Sequence, residues 1–267
     1  MEIKRYKLKA MLLGSLLAVT LYACKKENVT TASVNLPVVE AYLMAGKPIT
    51  IKVYQQKDIS DTAKYGAGIK GLQLSIADGS KTVVLTETKA GTYVYADSTF
   101  LTAGKTYSLK FSYLTYAVSA TTVMPAKPQN FATRVSTITI DGLTGRNSAT
   151  DTLNRFTWTN PDSLNHVLLF NNLDGIDFPT GSFGNRSANF IMNTERAAAF
   201  EVTQRPFSYY GHYDVVLLRV NKEYIDLLTS NSANSTSQSL ASQPTNVLNG
   251  FGIFTAMQAD TLKFNVF

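Results

Sequence analysis

From Val34 to Met124 the chain is built of short runs in which apolar and polar residues alternate. Val38, Ala41 and Leu43 fall in the first run. Ile49, Ile51 and Val53 enclose Thr50 and Lys52, and Leu72, Leu74 and Ile76 enclose Gln73 and Ser75. The turn Asp78-Gly79 leads into Val83-Val84-Leu85, Gly91 opens Tyr93-Val94-Tyr95, and Thr106–Tyr113 alternates again. Period-two alternation bounded by Gly, Asp and Pro predicts strands with one buried face, and many such strands at short spacing predict a sandwich. Pro125 and Pro128 close this half, since neither can donate in a central ladder.

The second half, 129–267, is less regular. A strand is expected over Thr133–Ile140, ending at Asp141-Gly142. Phe156-Thr157-Trp158-Thr159, the turn Pro161-Asp162 and His166–Phe170 form a strand–turn–strand unit with Trp158 as its core anchor. Asn171–Asn189 reads as a long loop, followed by strands at Ala198–Thr203 and Tyr213–Val220. Asn221 is placed to cap a helix over Lys222–Thr229, whose Tyr224, Leu227 and Leu228 share a face at i, i+3 and i+4. An uncharged polar loop covers Ser230–Asn246. A terminal hairpin is expected from Gly252–Ala256 and Leu262–Val266, turning at Asp260. The fold class is all-β: an immunoglobulin-like sandwich over 34–126, then a second β-rich, sandwich-like domain over 129–267 with one short helix.

Ahead of these domains, Lys4, Arg5, Lys7 and Lys9 precede an uncharged, mostly apolar run from Ala10 to Ala23, the layout of a secretory signal. As a helix its 14 residues span about 21 Å, short of a bilayer core roughly 30 Å thick. The chain's single cysteine follows directly as Leu21-Tyr22-Ala23-Cys24. This resembles a bacterial lipoprotein signal: residues 1–23 removed, the Cys24 thiol acylated (a palmitate-type anchor), and 24–33 a polar tether. With Cys24 acylated, neither a free thiol nor a disulfide remains to support the fold.

Two further resemblances rest on local motifs. Leu101-Thr102-Ala103-Gly104-Lys105-Thr106-Tyr107 resembles the E–F corner of fibronectin type III domains, where a tyrosine hydroxyl bonds an upstream backbone group; Tyr107 is the candidate. Tyr213–Val220 running into Lys222-Glu223-Tyr224, then Pro244-Thr245-Asn246-Val247 and Asn249-Gly250-Phe251-Gly252-Ile253-Phe254, is similar to DUF4249-type lipoproteins of the Bacteroidota. That resemblance implies an outer-membrane setting, with the face left open, often alongside a TonB-dependent uptake system. It carries over no catalytic residue.

Charge and chemistry narrow the function. The formal net charge is +6, and half of it lies in the leader. No arginine-rich patch interleaved with aromatics argues for nucleic acid. His166 and His212 are the only histidines and form no zinc-type motif. Asn172, Asp174 and Asp177 have calcium-like spacing without the distal glutamate, so an Asx-type turn is the expected structure. Neither a Gly-x-Ser-x-Gly elbow nor a phosphate-cradling loop occurs. No metal, cofactor or catalytic residue is nominated, and the chain is read as not an enzyme. Phe207, Tyr209, Tyr210 and Tyr213, four aromatics in seven residues, are the candidate contact surface for a glycan, peptide or partner protein. Phe178 and Phe183 in the loop are a second. The expectation is a lipid-anchored, non-enzymatic binding component at the outer membrane. A structural or adhesion lipoprotein stands second and an enzyme third.

Overall fold

A computed structural model describes residues 35–57, 62–63, 65–140, 151–180, 187–232 and 244–267; Cys24 and the segments expected as signal and tether lie outside them. In the first half the strands are β1 (Val38–Met44), β2 (Ile49–Tyr54), β3 (Ser75–Ala77), β4 (Thr82–Val84), β5 (Thr86–Lys89), β6 (Thr92–Tyr95), β7 (Thr106–Tyr113) and β8 (Tyr116–Val123). The second half holds β9 (Gln129–Thr133), β10 (Thr137–Ile138), β11 (Thr152–Thr159), β12 (His166–Asn172), β13 (Phe190–Asn193), β14 (Ala199–Thr203) and β15 (Gly211–Val220). Helix α1 (Lys222–Ser232), β16 (Val247–Leu248) and β17 (Phe251–Val266) close the chain.

These strands form three sheets. The largest runs β13-β12-β15-β17-β1-β2-β6-β5, with β10 added to β17. A five-stranded sheet, β16-β8-β7-β3-β4, covers its first-half end, and a three-stranded sheet, β14-β11-β9, its second-half end. Two cores result. The first packs Ile51, Tyr93, Tyr107 and Leu109 with their neighbours, and takes Val247, Phe254 and Ala256 from the far end of the chain. The second packs Phe156, Trp158, Phe170 and Leu217 with Phe264 and Val266. The core therefore changes at the 126–129 linker, but 34–126 alone does not complete the first one.

β17 joins the two. Its 16 residues replace the expected terminal hairpin. Phe251–Met257 pairs in parallel with β1, and Met257–Val266 pairs antiparallel with Val220–Gly211 of β15. A turn at Asp260 would break that ladder. Instead Asp260 stays extended, and its carboxylate meets Lys127 Nζ of the linker at 3.1 Å. By strand alternation, Phe254, Ala256, Phe264 and Val266 share one face and enter the two cores. Phe254 and Phe264 are fully buried, each contributing about 1.5–3 kcal/mol by burial. On the opposite face Met257 packs with Leu218 and Val220 under Tyr224, Ile225 and Leu228 of α1. Ile225, not Leu227, completes the helix's apolar face.

Where β17 leaves β15 its edge lacks a strand partner, and side chains supply the missing bonds. Asn246 Oδ1 accepts from Phe254 N–H at 3.0 Å, and Asn246 Nδ2 donates to Phe254 C=O at 2.7 Å. Thr122 Oγ1 accepts from Ala256 N–H at 3.1 Å, and Asn221 Nδ2 donates to Ala256 C=O at 3.3 Å. Asn221 stands at the N-cap position, its C=O accepting from Tyr224 N–H at 3.2 Å, while its side chain engages β8 and β17 instead of the helix's own N–H groups. Thr122 also donates to Glu223 Oε1 at 2.8 Å, which ties the helix to both strands. The Asn-Gly-Phe-Gly entry to β17 has a steric reason. At Gly252 φ is +91°, and a Cβ there would lie 2.0 Å from Val39 O.

Other expectations resolve locally. Tyr107 is fully buried; its hydroxyl donates to Phe100 C=O at 3.0 Å and accepts from Thr102 N–H at 2.7 Å, forming the corner. The strand expected over Thr133–Ile140 is divided between β9 and β10, because Asn154 reaches in to bond Thr133 Oγ1 and Val135 C=O. Leu72 and Leu74 precede β3 rather than joining it. Leu72 N–H donates instead to the Tyr93 hydroxyl at 3.1 Å.

His166 is buried beneath Trp158, with ring centroids 5.7 Å apart, and its Nδ1 faces Leu164 C=O at 3.0 Å. A carbonyl only accepts, so Nδ1 carries the hydrogen. Burial, with a smaller push from the Arg219 guanidinium, lowers the imidazole's proton affinity below its ordinary pKa of 6.5. The unfolded chain then binds more protons just below that pH, so the contribution is complete above about 6.5 and declines as pH falls through it.

Two outcomes are expected. Gly252→Ala destabilises by about 2–4 kcal/mol in urea unfolding. Gly46→Ala, also at positive φ but with nothing within 4 Å, loses only about 1–2 kcal/mol; equal losses would contradict the close approach to Val39. Unfolding free energy falls between pH 7.5 and 5.0, and His166→Gln shows a shallower fall over that interval. An unchanged slope would remove His166 as a source of the pH dependence.

Candidate functional site

The aromatic stretch nominated from sequence lies inside. Phe207, Tyr209 and Tyr213 are buried and Tyr210 is half-buried. Phe207 packs edge-on against Phe170, Phe190 and Tyr213 at 5.4–5.7 Å. The Tyr213 hydroxyl donates to Tyr209 C=O at 2.6 Å, and that of Tyr210 to Ile140 C=O at 3.2 Å. The contact-surface expectation therefore gives way to core packing: apolar rings at a strand entry gain more by burial than by exposure. Phe178 is exposed, while Phe183 lies outside the described residues.

The calcium-like loop closes on itself. Asn172 Oδ1 accepts from the N–H groups of Asp174 and Gly175 at 2.8 and 3.0 Å, an Asx turn. Asp174 Oδ2 accepts from His212 N–H at 2.9 Å and lies 2.8 Å from His212 Nδ1. These bonds hold its carboxyl below the usual range. Among the described residues, no three His, Cys, Asp or Glu gather as metal ligands would.

What the structure does bring together is a cleft of about 520 Å³ between the two halves. Its floor is the end of β15 with Arg219 and Val220. One wall is Gly104 and Val123–Ala126 of the first half, and the other is the 162–165 loop with Arg196. The second wall is fixed by one side chain. Asn160 Nδ2 lies within 2.9–3.2 Å of the carbonyls of Leu164, Arg196 and Ala197, and its Oδ1 accepts from Leu164 N–H at 2.9 Å. Ser163, Glu195 and Arg196 adopt φ of +50°, +50° and +66° within these loops, conformations rarely held by non-glycine residues unless their surroundings impose them.

The cleft's charges are unevenly matched. Lys222 Nζ is 2.6 Å from Asp226, and Arg196 Nε donates to Asn165 Oδ1 at 3.2 Å. Arg219 is half-buried, and among the described residues no carboxylate or hydrogen-bond acceptor meets its guanidinium. Sequence reading missed it, although a signal existed. Tyr213, Val215 and Leu217 face the second core, and Arg219 continues that parity as a cation on the inward face. Two other hollows are less differentiated. The groove of about 790 Å³ on the outer face of β7 and β8 has Lys110 as its one charged lining residue. The smaller one beside Tyr54 and Tyr65 holds Lys89 and Lys52, the latter paired with Glu40 at 3.1 Å.

Among solved structures, the chain is similar to the FN1–FN3 domains of chicken CNTN1, with 12% identity and a TM-score of 0.30, covering 86% of this chain and 66% of that one. It is also similar to a two-domain fibronectin type III segment of chicken tenascin, with 10% identity and a TM-score of 0.24, covering 86% and 99%. Likeness at this level carries nothing about activity or partners. No curated protein matches the chain. The family model described as a domain of unknown function, DUF4249, matches residues 27–263. That span takes in the first core, the cleft, most of β17 and all of the second core except Phe264 and Val266, and the chain belongs to the DUF4249 family.

Proposed function

We propose that the protein is a lipoprotein of the bacterial outer membrane, held by acyl chains on Cys24, and that it acts as a non-enzymatic binding component beside a TonB-dependent uptake system. The observation that carries the anchoring is the placement of the only cysteine directly behind a cationic, then apolar, leader. Each buried acyl methylene contributes about 0.8 kcal/mol, and more than one chain makes anchoring durable. Among the described residues no helix is long and apolar enough to cross a membrane.

Binding is favoured over catalysis by the character of the cleft. It presents guanidinium, ammonium and amide groups with one carboxylate, Asp162: groups that orient and hold a ligand rather than a nucleophile joined to a base. The burial of Phe207, Tyr209 and Tyr213 favours a second reading, a structural or adhesion lipoprotein, because it removes the aromatic surface on which a ligand would stack.

Anchoring is checked by metabolic labelling with a palmitate analogue. The wild-type protein takes the label and sediments with outer membranes, whereas Cys24→Ala is unlabelled and leaves that fraction. An unlabelled wild type, or an identical distribution of the two forms, refutes the anchor.

A further inference from the structure

We infer that the cleft between the two cores is a binding site for a carboxylated sugar, with Arg219 and Arg196 receiving the carboxylate. This deepens the binding reading proposed above and rests on it.

Arg219 is half-buried with its guanidinium still reached by water from the cleft, so an anion there replaces solvent rather than a protein partner. The ladder places Arg219 opposite His166 on one side and Gln258 on the other. Neither is an anion: an imidazole is neutral or cationic, and the Gln258 amide is neutral. The cation is left facing the cleft. A planar fork of N–H donors matches a carboxylate bidentately, which is the strongest form of this contact.

Charge selects the class of anion. The cleft lining carries Arg196 and Arg219 against Asp162, while Lys222 is neutralised by Asp226. One net positive charge suits a singly charged carboxylate better than a doubly charged phosphate. The remaining polar groups, Asp162, Ser163 and Asn165, offer acceptors and donors of the kind that sugar hydroxyls satisfy. The volume of about 520 Å³ lies within the range of small-ligand sites, roughly 300–1,000 Å³, and junctions between domains are favoured places for them. The walls are set before a ligand arrives. Asn160 fixes one, and the other is tied through Gly104 N–H to Met124 C=O at 2.8 Å. Little ordering is then left for binding to bring about.

The test is calorimetric titration of the full chain with the monosaccharides galacturonate and mannuronate, each singly charged, and with their neutral methyl esters. At least one of the acids binds, and its ester binds at least about tenfold more weakly. Arg219→Gln weakens the acid by a similar factor and leaves the ester unchanged, Arg196→Gln acts in the same direction, and Lys110→Gln on the distant outer face changes neither. Because Arg219 meets no carboxylate or hydrogen-bond acceptor among the described residues, Arg219→Gln melts at or above the wild-type temperature. A lower melting temperature would make Arg219 a structural residue and overturn the assignment. Equal binding of acid and ester also overturns it, while leaving the broader binding function standing. If neither uronate binds, the sugar-acid assignment fails, and labelling at Cys24 still decides the anchor by itself.

Discussion

The whole arrangement depends on one backbone ladder. A strand of 16 residues, β17, passes from β1 in the first half of the chain to β15 in the second without interruption. Its apolar face enters one core at Phe254 and Ala256 and the other at Phe264 and Val266. A buried backbone N–H or C=O without a partner is unfavourable, so the edge exposed at the change of partner must be filled. Asn246 imitates a strand across Phe254, and Thr122 with Asn221 does the same for Ala256. These residues come from three separate parts of the chain, and that is how the second half, the helix and the first sheet are held to one strand.

The cleft follows from this junction. Its floor is the last turn of the ladder before β15 gives way to α1, and its walls belong to different halves. Two modules on a flexible linker would leave such a space variable, whereas a shared strand keeps its size and the position of Arg219 defined. Lys127 adds a smaller constraint by reaching from the linker to Asp260 in the middle of β17. An exposed pair of this kind is worth about 0–1 kcal/mol, so it orients the linker more than it stabilises it.

Much of the fold was legible in the chain. Alternation located β1, β2 and β7 within a residue or so, the corner pattern identified Tyr107, and Trp158 was recognisable as a core residue. The failures share a cause. Asp260 resembles a turn residue, and Phe207, Tyr209 and Tyr213 resemble a recognition surface, until long-range partners are known. β15 keeps Asp260 extended, and Phe170 and Phe190 cover Phe207. Local pattern carries no information about which distant strand will lie alongside. The site was less legible still: Arg219 stands out only once the parity of β15 is tied to a core, and the part of Asn246 in completing a sheet edge depends on distant Phe254.

A shared strand makes residues 35–267 one cooperative unit despite two cores. Differential scanning calorimetry is then expected to give a single transition whose calorimetric and van't Hoff enthalpies agree. Two separable transitions, one for each core, would show that the halves fold independently and that β17 does not couple them.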